Sequence, residues 1–191
     1  MKLRGLTIKV NPLFLLILFL FFLLEMAVEA LIAFGLVILH ELVHLLIAYR
    51  SGYRVSRIEI FPFGGMAEYS GLLEMEPWQE IRVALAGPIF NLIFAFFIYF
   101  FTYSGLAEPG FFLSLLLQYN LIIGTVNLIP ALPLDGGRVF RAFLVKNNGI
   151  KRGNDLALKV SKYLAISGII MGILVLLTGK ANLWFLFFFF F

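Results

Sequence analysis

Two histidines and a glutamate stand together in the run His40-Glu41-Leu42-Val43-His44, and these are the only two histidines of the chain. Residues four positions apart project from the same face of a helix, one turn from each other. This H-E-x-x-H spacing lets two imidazoles bind one Zn²⁺, and it places Glu41 where it can take a proton from a zinc-bound water. The alternative is a pair of core histidines beside a glutamate that has a local partner.

The surroundings of this motif are apolar on every side. Of the 191 residues, 62% are hydrophobic and 14% are charged, and the mean hydropathy is +1.00. A water-soluble domain of this size has too little interior for so much apolar surface, which indicates a polytopic membrane protein. Ionisable groups inside a membrane helix are expensive to bury, by roughly 2.5 kcal/mol or more each, and therefore favour a functional interpretation of the motif.

Composition also limits the metal ligands and the partners. The chain has no cysteine, so a metal must be bound by His, Asp or Glu. The formal net charge of +4 does not indicate nucleic-acid binding, because the basic residues fall in segments that flank the apolar runs. The lipid bilayer is the expected environment.

The apolar runs predict an all-α polytopic membrane protein with about six transmembrane helices in a single domain over residues 1–191. A span needs about 20 residues. The last run is shorter, so the sequence is expected to stop inside a helix, with any C-terminal domain beyond it. The first run also resembles a signal peptide, but a hairpin of two spans is the simpler interpretation. The predicted spans are Val10–Leu24, Ala30–Tyr49, Ile81–Tyr103, Phe111–Leu128, Tyr163–Leu177 and a run that begins at Leu183.

A short β-hairpin is expected after the second span. Residues 54–60 alternate polar with apolar or β-branched side chains, which indicates a strand. A turn follows at 61–65, and residues 66–69 return as a second strand. A hairpin with a free edge can pair with an extended peptide. The alternative is an amphipathic loop that lies on the bilayer surface.

Further polar and helix-breaking residues fall in or near the membrane. Asn91 is a polar group in the third span, and an interhelical hydrogen bond is favoured for it over direct chemistry. After Asn127, two prolines and two glycines interrupt the helix, and such backbone is tolerated where it lines a cavity or is buried in protein. Asp135 is the acidic residue of this segment. It is either the N-cap of the following helix or the third zinc ligand.

The distribution of basic residues predicts the orientation. Of the 15 Lys and Arg, 14 lie in the N-terminal segment, in residues 50–82 or in a basic loop at 138–162, and Lys180 lies on the other side. By the positive-inside rule, the N-terminus and these segments are cytoplasmic. The helix that carries the motif then runs from outside to inside. At 1.5 Å per residue, His44 lies roughly 9 Å from Arg50. The active site is therefore expected within the membrane, towards the cytoplasmic side.

Four blocks follow one another along the chain: His40-Glu41-Leu42-Val43-His44, Phe63-Gly64-Gly65, Ala86-Gly87-Pro88-x-x-Asn91 and Asn127-x-x-Pro130-x-x-Pro133-Leu134-Asp135-Gly136-Gly137. Their order resembles the site-2 protease family of intramembrane zinc metalloproteases, and looks closest to its stage-IV sporulation protease FB branch. The resemblance implies one Zn²⁺ per chain with three ligands, His40, His44 and Asp135. It also implies that Glu41 is the catalytic glutamate.

The resemblance carries further implications for substrate and partners. It implies cleavage of a membrane-associated precursor protein, for example a pro-form of a transcription factor, near the cytoplasmic face. It also implies control by inhibitory membrane-protein partners. No PDZ domain, which many relatives carry, is visible in the sequence. Substrate engagement is expected for Phe63, Gly64, Gly65, Asn91, Asn127 and Pro133.

Other kinds of protein match parts of the pattern. A membrane metalloprotease of the prenyl-protein-processing type also uses H-E-x-x-H, but it needs a downstream glutamate, and Glu108 lies in a linker on the opposite side of the membrane. A zinc transporter needs a polar path, and the outer halves of these spans carry almost no ionisable groups. A catalytically silent membrane scaffold has no reason to keep Glu41 between the histidines.

Overall fold

Helices make up most of the chain. The structure is a computed structural model that describes residues 2–3, 6–10, 12–61, 64–70, 75–106, 108 and 110–177. The elements follow in the order β1 Lys2–Leu3, β2 Leu6–Val10, α1 Pro12–Leu23, α2 Ala27–Arg50, β3 Arg54–Phe61, β4 Gly64–Ser70, α3 Pro77–Tyr103, α4 Phe111–Asn127, α5 Asp135–Asn148 and α6 Ile150–Leu177.

Three of the described helices are long and apolar enough to cross a bilayer, namely α2, α3 and the Ile150–Leu174 part of α6. In hydrocarbon a helix is favoured because it satisfies its own backbone hydrogen bonds. The chain is therefore an integral membrane protein. Helix α4 is apolar but has 17 residues, and α1 has 12. The predicted span from Leu183 lies outside the described residues.

The strands form one sheet in the order β1, β2, β3, β4. Strand β2 is parallel to β3, with Ile8 opposite Ile58, and β3 is antiparallel to β4, with Ile60 opposite Gly65. Among the described strands β4 pairs on one side, so its second edge lies at the border of the sheet.

Helices α2, α3 and α4 pack together within residues 1–128, the first of two compact units. Leu36 of α2 packs with Leu115 of α4, and Ala48 of α2 packs with Val83 of α3. Small buried residues let membrane helices approach closely. This packing places one face of α2 against both neighbouring helices.

The second unit, residues 129–191, contains a hairpin of α5 and α6. Gly149 turns the chain with a φ of 79°, a conformation that favours glycine. Gly153 lies against α5, because a Cβ there would come 2.6 Å from Val145 Cα. The prediction of a basic loop at 138–162 is therefore wrong, since these residues are helical apart from the turn at Gly149.

Exposed charge explains why this hairpin resembles a loop in the sequence. Charged residues interrupt the apolar residues over 138–162, but Ala142 and Ala157 are buried and give the two helices a packing face. An amphipathic helix keeps its charges on the opposite face. The exposed cations of the hairpin include Lys146, Lys151, Arg152, Lys159 and Lys162.

Candidate metal centre

Helix α2 brings its two histidines together in the interior of the first unit. His40 is 3% exposed and His44 is 2% exposed, and their Nε2 atoms lie 3.0 Å apart. Two nitrogens bound to one tetrahedral zinc, each at about 2.0–2.1 Å, lie roughly 3.3 Å from each other. The two rings therefore have nearly the separation of two ligands of one ion.

Hydrogen bonds on the far side of each ring set its tautomer. His44 Nδ1 donates to the carbonyl oxygen of Val83 at 2.7 Å, and His40 Nδ1 donates to Oδ1 of Asn91 at 2.5 Å. A neutral imidazole with its proton on Nδ1 carries a lone pair on Nε2. Metal-binding histidines are commonly oriented by such an outer hydrogen bond. This donor set fits Zn²⁺.

Helix α3 passes close to both Nε2 atoms at Gly87. A Cβ at this position would lie 2.6 Å from His40 Nε2 and closer still to His44 Nε2. Glycine, which has no Cβ, is therefore the residue that fits while the rings keep this arrangement. Its absent side chain leaves room beside the two nitrogens.

The two carboxylates of the predicted site lie on different elements. Glu41 follows His40 on α2 and is half-buried. Asp135, in the second unit, is the first residue of α5 and is 7% exposed, with one oxygen 3.6 Å from Nη1 of Arg138. The N-cap position belongs to Leu134, so the N-cap interpretation of Asp135 is wrong.

The segment before Asp135 is non-helical, as its prolines predict, and it is held within the second unit. The Leu132–Pro133 peptide bond is cis. The backbone N–H of Leu132 donates to Oγ of Ser161 at 2.8 Å. Gly137 lies so close to the backbone of Leu132 that a Cβ would collide with it. These contacts fix the backbone that leads into the buried carboxylate.

Asn91 is fully buried on α3, and its side chain bridges two helices. Its Oδ1 accepts from His40, and its Nδ2 donates to Oδ1 of Asn120 on α4 at 2.9 Å. The interhelical hydrogen bond favoured from the sequence is therefore present. Its implied part in substrate engagement stays a prediction.

The other residues expected to engage substrate lie on separate elements, and their roles also stay predictions. Asn127 ends α4, and its Nδ2 donates to a carbonyl one turn back in the same helix. Pro133 is exposed in the segment before α5, and Gly64 and Gly65 begin β4. Phe63 lies outside the described residues.

Sequence reasoning missed Asn120 and the contact made by Gly87. An amide within the apolar helix α4 is the signal for Asn120, because a polar side chain in a membrane helix needs a partner. The sequence marks Gly87 only as a residue that permits close packing. The atoms that it approaches depend on how α2 and α3 cross, which is a property of the tertiary structure.

A family model described as peptidase family M50 matches this chain over residues 28–107 and 104–175. These residues include the H-E-x-x-H motif of α2, the glycine of α3 beside the two rings, and the start of α5. The match therefore covers every element that carries a predicted metal ligand.

Two curated proteins and one solved structure illustrate the similarity. A zinc metalloprotease of Methanocaldococcus jannaschii is 34% identical over 176 residues, which are 89% of this chain and 47% of that protein. Stage IV sporulation protein FB of Bacillus subtilis is 31% identical over 126 residues, 66% of this chain and 43% of that protein. The structure of a site-2 protease from Methanocaldococcus jannaschii has a TM-score of 0.73 at 30% identity, covering 92% of this chain and 84% of that chain. This chain thus spans less than half the length of these two curated relatives.

Proposed function

Because this chain belongs to peptidase family M50, the site-2 protease family, we propose that it is a zinc-dependent endopeptidase of the membrane. It hydrolyses a peptide bond in or near a transmembrane segment of a membrane-associated protein. The observation that carries the proposal is the buried pair of Nε2 atoms of His40 and His44, 3.0 Å apart. Both imidazoles are buried in an apolar bundle, and a hydrogen bond at Nδ1 orients each ring and leaves Nε2 for a metal. This arrangement is typical of a metal site.

One Zn²⁺ is held by His40, His44 and Asp135 in this proposal. Two imidazoles and one carboxylate form a hydrolytic ligand set with one position left for water. Asp135 is supported by its burial at the start of α5 and by the resemblance of its Leu-Asp-Gly-Gly surroundings to the family. When bound, the ion supplies a Lewis acid that polarises the scissile carbonyl and makes water nucleophilic near neutral pH.

Glu41 is the general base. Its carboxylate accepts a proton from the attacking water as the water oxygen bonds to the carbonyl carbon. It then donates this proton to the leaving amine nitrogen as the carbon–nitrogen bond breaks. Its half-buried position directly after His40 supports this role.

The substrate must reach the site in an extended conformation. In a helix the peptide carbonyl is already hydrogen-bonded and shielded, so a helical substrate segment unwinds locally. The outer edge of β4 supports pairing with an extended strand, and Gly64 and Gly65 begin that strand. Phe63, Asn127 and Pro133 belong to the same substrate path in this proposal.

The active site faces the cytoplasm in this proposal, with the N-terminus on the same side. The exposed cations Lys146, Lys151 and Arg152 support a cytoplasmic location for the turn between α5 and α6. With α1 and α4 also embedded, five described helices lie in the membrane in this proposal, and the predicted sixth span from Leu183 lies outside the described residues. The family match on both sides of residue 128 supports a single protease domain.

The substrate class is a membrane-associated precursor, such as a pro-form of a transcription factor, and inhibitory membrane proteins control its cleavage. Membership of peptidase family M50 supports a membrane-associated protein as the substrate, and the finer class rests on the resemblance of the motif blocks to the sporulation protease branch. A precursor of this kind presents a membrane segment next to a cytoplasmic domain, which matches the predicted depth of the site.

Removal and return of the metal test the activity. Purified protein is incubated with a membrane-tethered reporter whose cytoplasmic part is labelled. A chelator is expected to abolish cleavage and added Zn²⁺ to restore it, whereas His44→Ala neither cleaves nor recovers. Cleavage that persists in metal-free protein, or that His44→Ala retains, contradicts the proposal.

A further inference from the structure

Three hydrogen bonds connect a backbone carbonyl of α4 to the ring of His40. Asn120 Nδ2 donates to the carbonyl of Leu116 at 2.7 Å, and Asn91 Nδ2 donates to Asn120 Oδ1 at 2.9 Å. His40 Nδ1 completes the chain by donating to Asn91 Oδ1 at 2.5 Å. Both asparagines are 0% exposed, so water does not compete for these atoms.

The carbonyl of Leu116 gives this chain of bonds its direction. A carbonyl oxygen only accepts, so the NH₂ end of Asn120 must face Leu116 and its oxygen must face Asn91. That oxygen in turn selects the NH₂ end of Asn91, whose oxygen then faces His40. The proton of the His40 ring is therefore held on Nδ1.

The opposite direction would be incompatible with metal binding. If the Asn91 amide turned over, its NH₂ group would face Nδ1 of His40, and that nitrogen would have to accept. The ring proton would move to Nε2, the atom that faces His44. A protonated Nε2 has no lone pair for a metal.

We propose that Asn120 is a positioning residue that fixes the tautomer of His40 through Asn91 and thereby prepares Nε2 of His40 for the metal. The inference rests on the proposed zinc site and extends it to α4. His44 does not depend on this relay, because its Nδ1 donates directly to the carbonyl of Val83. The ring of His44 is therefore an internal control for the effect of Asn120 on the ring of His40.

The tautomer of each ring can be read from ¹⁵N chemical shifts in metal-free protein. The chain has two histidines, so selective labelling gives two ring spectra. The measurement is made in mildly alkaline buffer, in which free imidazole is neutral. Wild type is expected to carry both ring protons on Nδ1. In Asn120→Ala the His40 proton is expected to distribute over both nitrogens, while His44 keeps its wild-type spectrum.

Zinc affinity supplies a second readout that does not depend on cleavage. Asn120→Ala is expected to weaken zinc binding by about tenfold, the lower end of the effect of losing an outer partner of a metal-bound histidine. In an Asn91→Ala background, Asn120→Ala is expected to weaken zinc binding by less than about a further twofold, because Asn91, through which Asn120 acts, is already absent. Gln118→Ala, which removes an exposed amide from α4, is the matched control and is expected to match wild type.

Two further variants keep the test decisive. Asn120→Val replaces the amide with an apolar group of similar size and serves where Asn120→Ala does not fold. Asn120→Asp keeps the oxygen that faces Asn91, and in its protonated form the carboxyl group donates to the carbonyl of Leu116 in place of the NH₂ group. This variant is expected to retain most of the zinc affinity and the wild-type tautomer of His40.

An unchanged His40 spectrum in folded Asn120→Ala or Asn120→Val overturns the inference. An equal loss of zinc affinity with and without Asn91 also overturns it, because the effect would then be general destabilisation. Wild-type protein that binds zinc without cleaving any reporter contradicts the proposed activity, while a tautomer change in the variants still supports the role of Asn120.

Discussion

Gly87 of α3 lies against Nε2 of His44 so closely that a single methyl group would overlap the ring. The same methyl group would lie 2.6 Å from His40 Nε2, in the space beside both nitrogens. Gly87→Ala is therefore expected to reduce zinc to near background. Alanine is more favourable than glycine inside a helix by about 1 kcal/mol, so helix propensity does not oppose folding of the variant. Zinc per chain and thermal unfolding are measured on the same sample.

Gly35→Ala is the matched control for this substitution. Gly35 is also a helical glycine, on α2, and a Cβ there would meet nothing within 4 Å. This variant is expected to keep wild-type zinc content. A folded Gly87→Ala protein with wild-type zinc content would contradict the placement of the metal beside Gly87.

The third ligand is tested by Asp135→Asn. The amide keeps the size of the side chain but removes the negative charge. Zinc affinity is expected to fall by more than about tenfold, because losing a ligand costs more than losing an outer hydrogen-bond partner of a ligand, which costs at least about tenfold. Asp155→Asn, which changes an exposed acid of α6, is the control and is expected to bind as wild type does. Unchanged affinity in Asp135→Asn would place the third ligand elsewhere.

Ser161 stabilises the segment before Asp135 through its bond with the backbone of Leu132. Ser161→Ala leaves that N–H without its acceptor, and the free energy of unfolding is expected to fall by about 1–3 kcal/mol. Ser167→Ala removes an exposed hydroxyl that donates to a carbonyl of the same helix, and it is expected to have little effect. Denaturant unfolding in detergent compares the two variants, and equal stability of both would contradict the role of Ser161.

The orientation is tested by reporters fused after Ser104 and after Asn148. The first is expected outside and the second in the cytoplasm, because the cations of α5 and α6 favour the cytoplasmic side. Accessibility to a membrane-impermeant thiol reagent at introduced cysteines provides an independent reading, since the natural chain has no cysteine. The reverse pattern would move the predicted site to the outer face.

The sequence predicts the parts of the site that depend on local geometry. Two residues four apart on a helix share a face, so the approach of His40 and His44 follows from spacing alone. The interhelical hydrogen bond of Asn91 can also be predicted, because a polar side chain in lipid is unfavourable without a hydrogen-bond partner. The identity of that partner does not follow, because Asn120 reaches Asn91 only through the way α3 packs on α4.

The sequence is less informative for helices that carry many charged residues. Residues 138–162, which form α5 and the start of α6, have no long apolar run, and these helices pack through small buried residues such as Ala142 and Gly153. Hydropathy alone therefore assigns these residues to a loop. The contact of Gly87 with the rings is hidden for a similar reason, since it exists only after two helices cross.

The most direct test of the account is zinc content and reporter cleavage in wild type and Glu41→Gln, measured on the same preparations. Glutamine keeps the shape of the side chain but cannot take up a proton. About one zinc per chain is expected in both proteins, because Glu41 is not a ligand in the proposed set. Cleavage is expected to fall by about 10²–10⁴ in Glu41→Gln, the usual effect of losing a general base. Cleavage at the wild-type rate by Glu41→Gln, or near-zero zinc in well-folded wild type, would contradict the account.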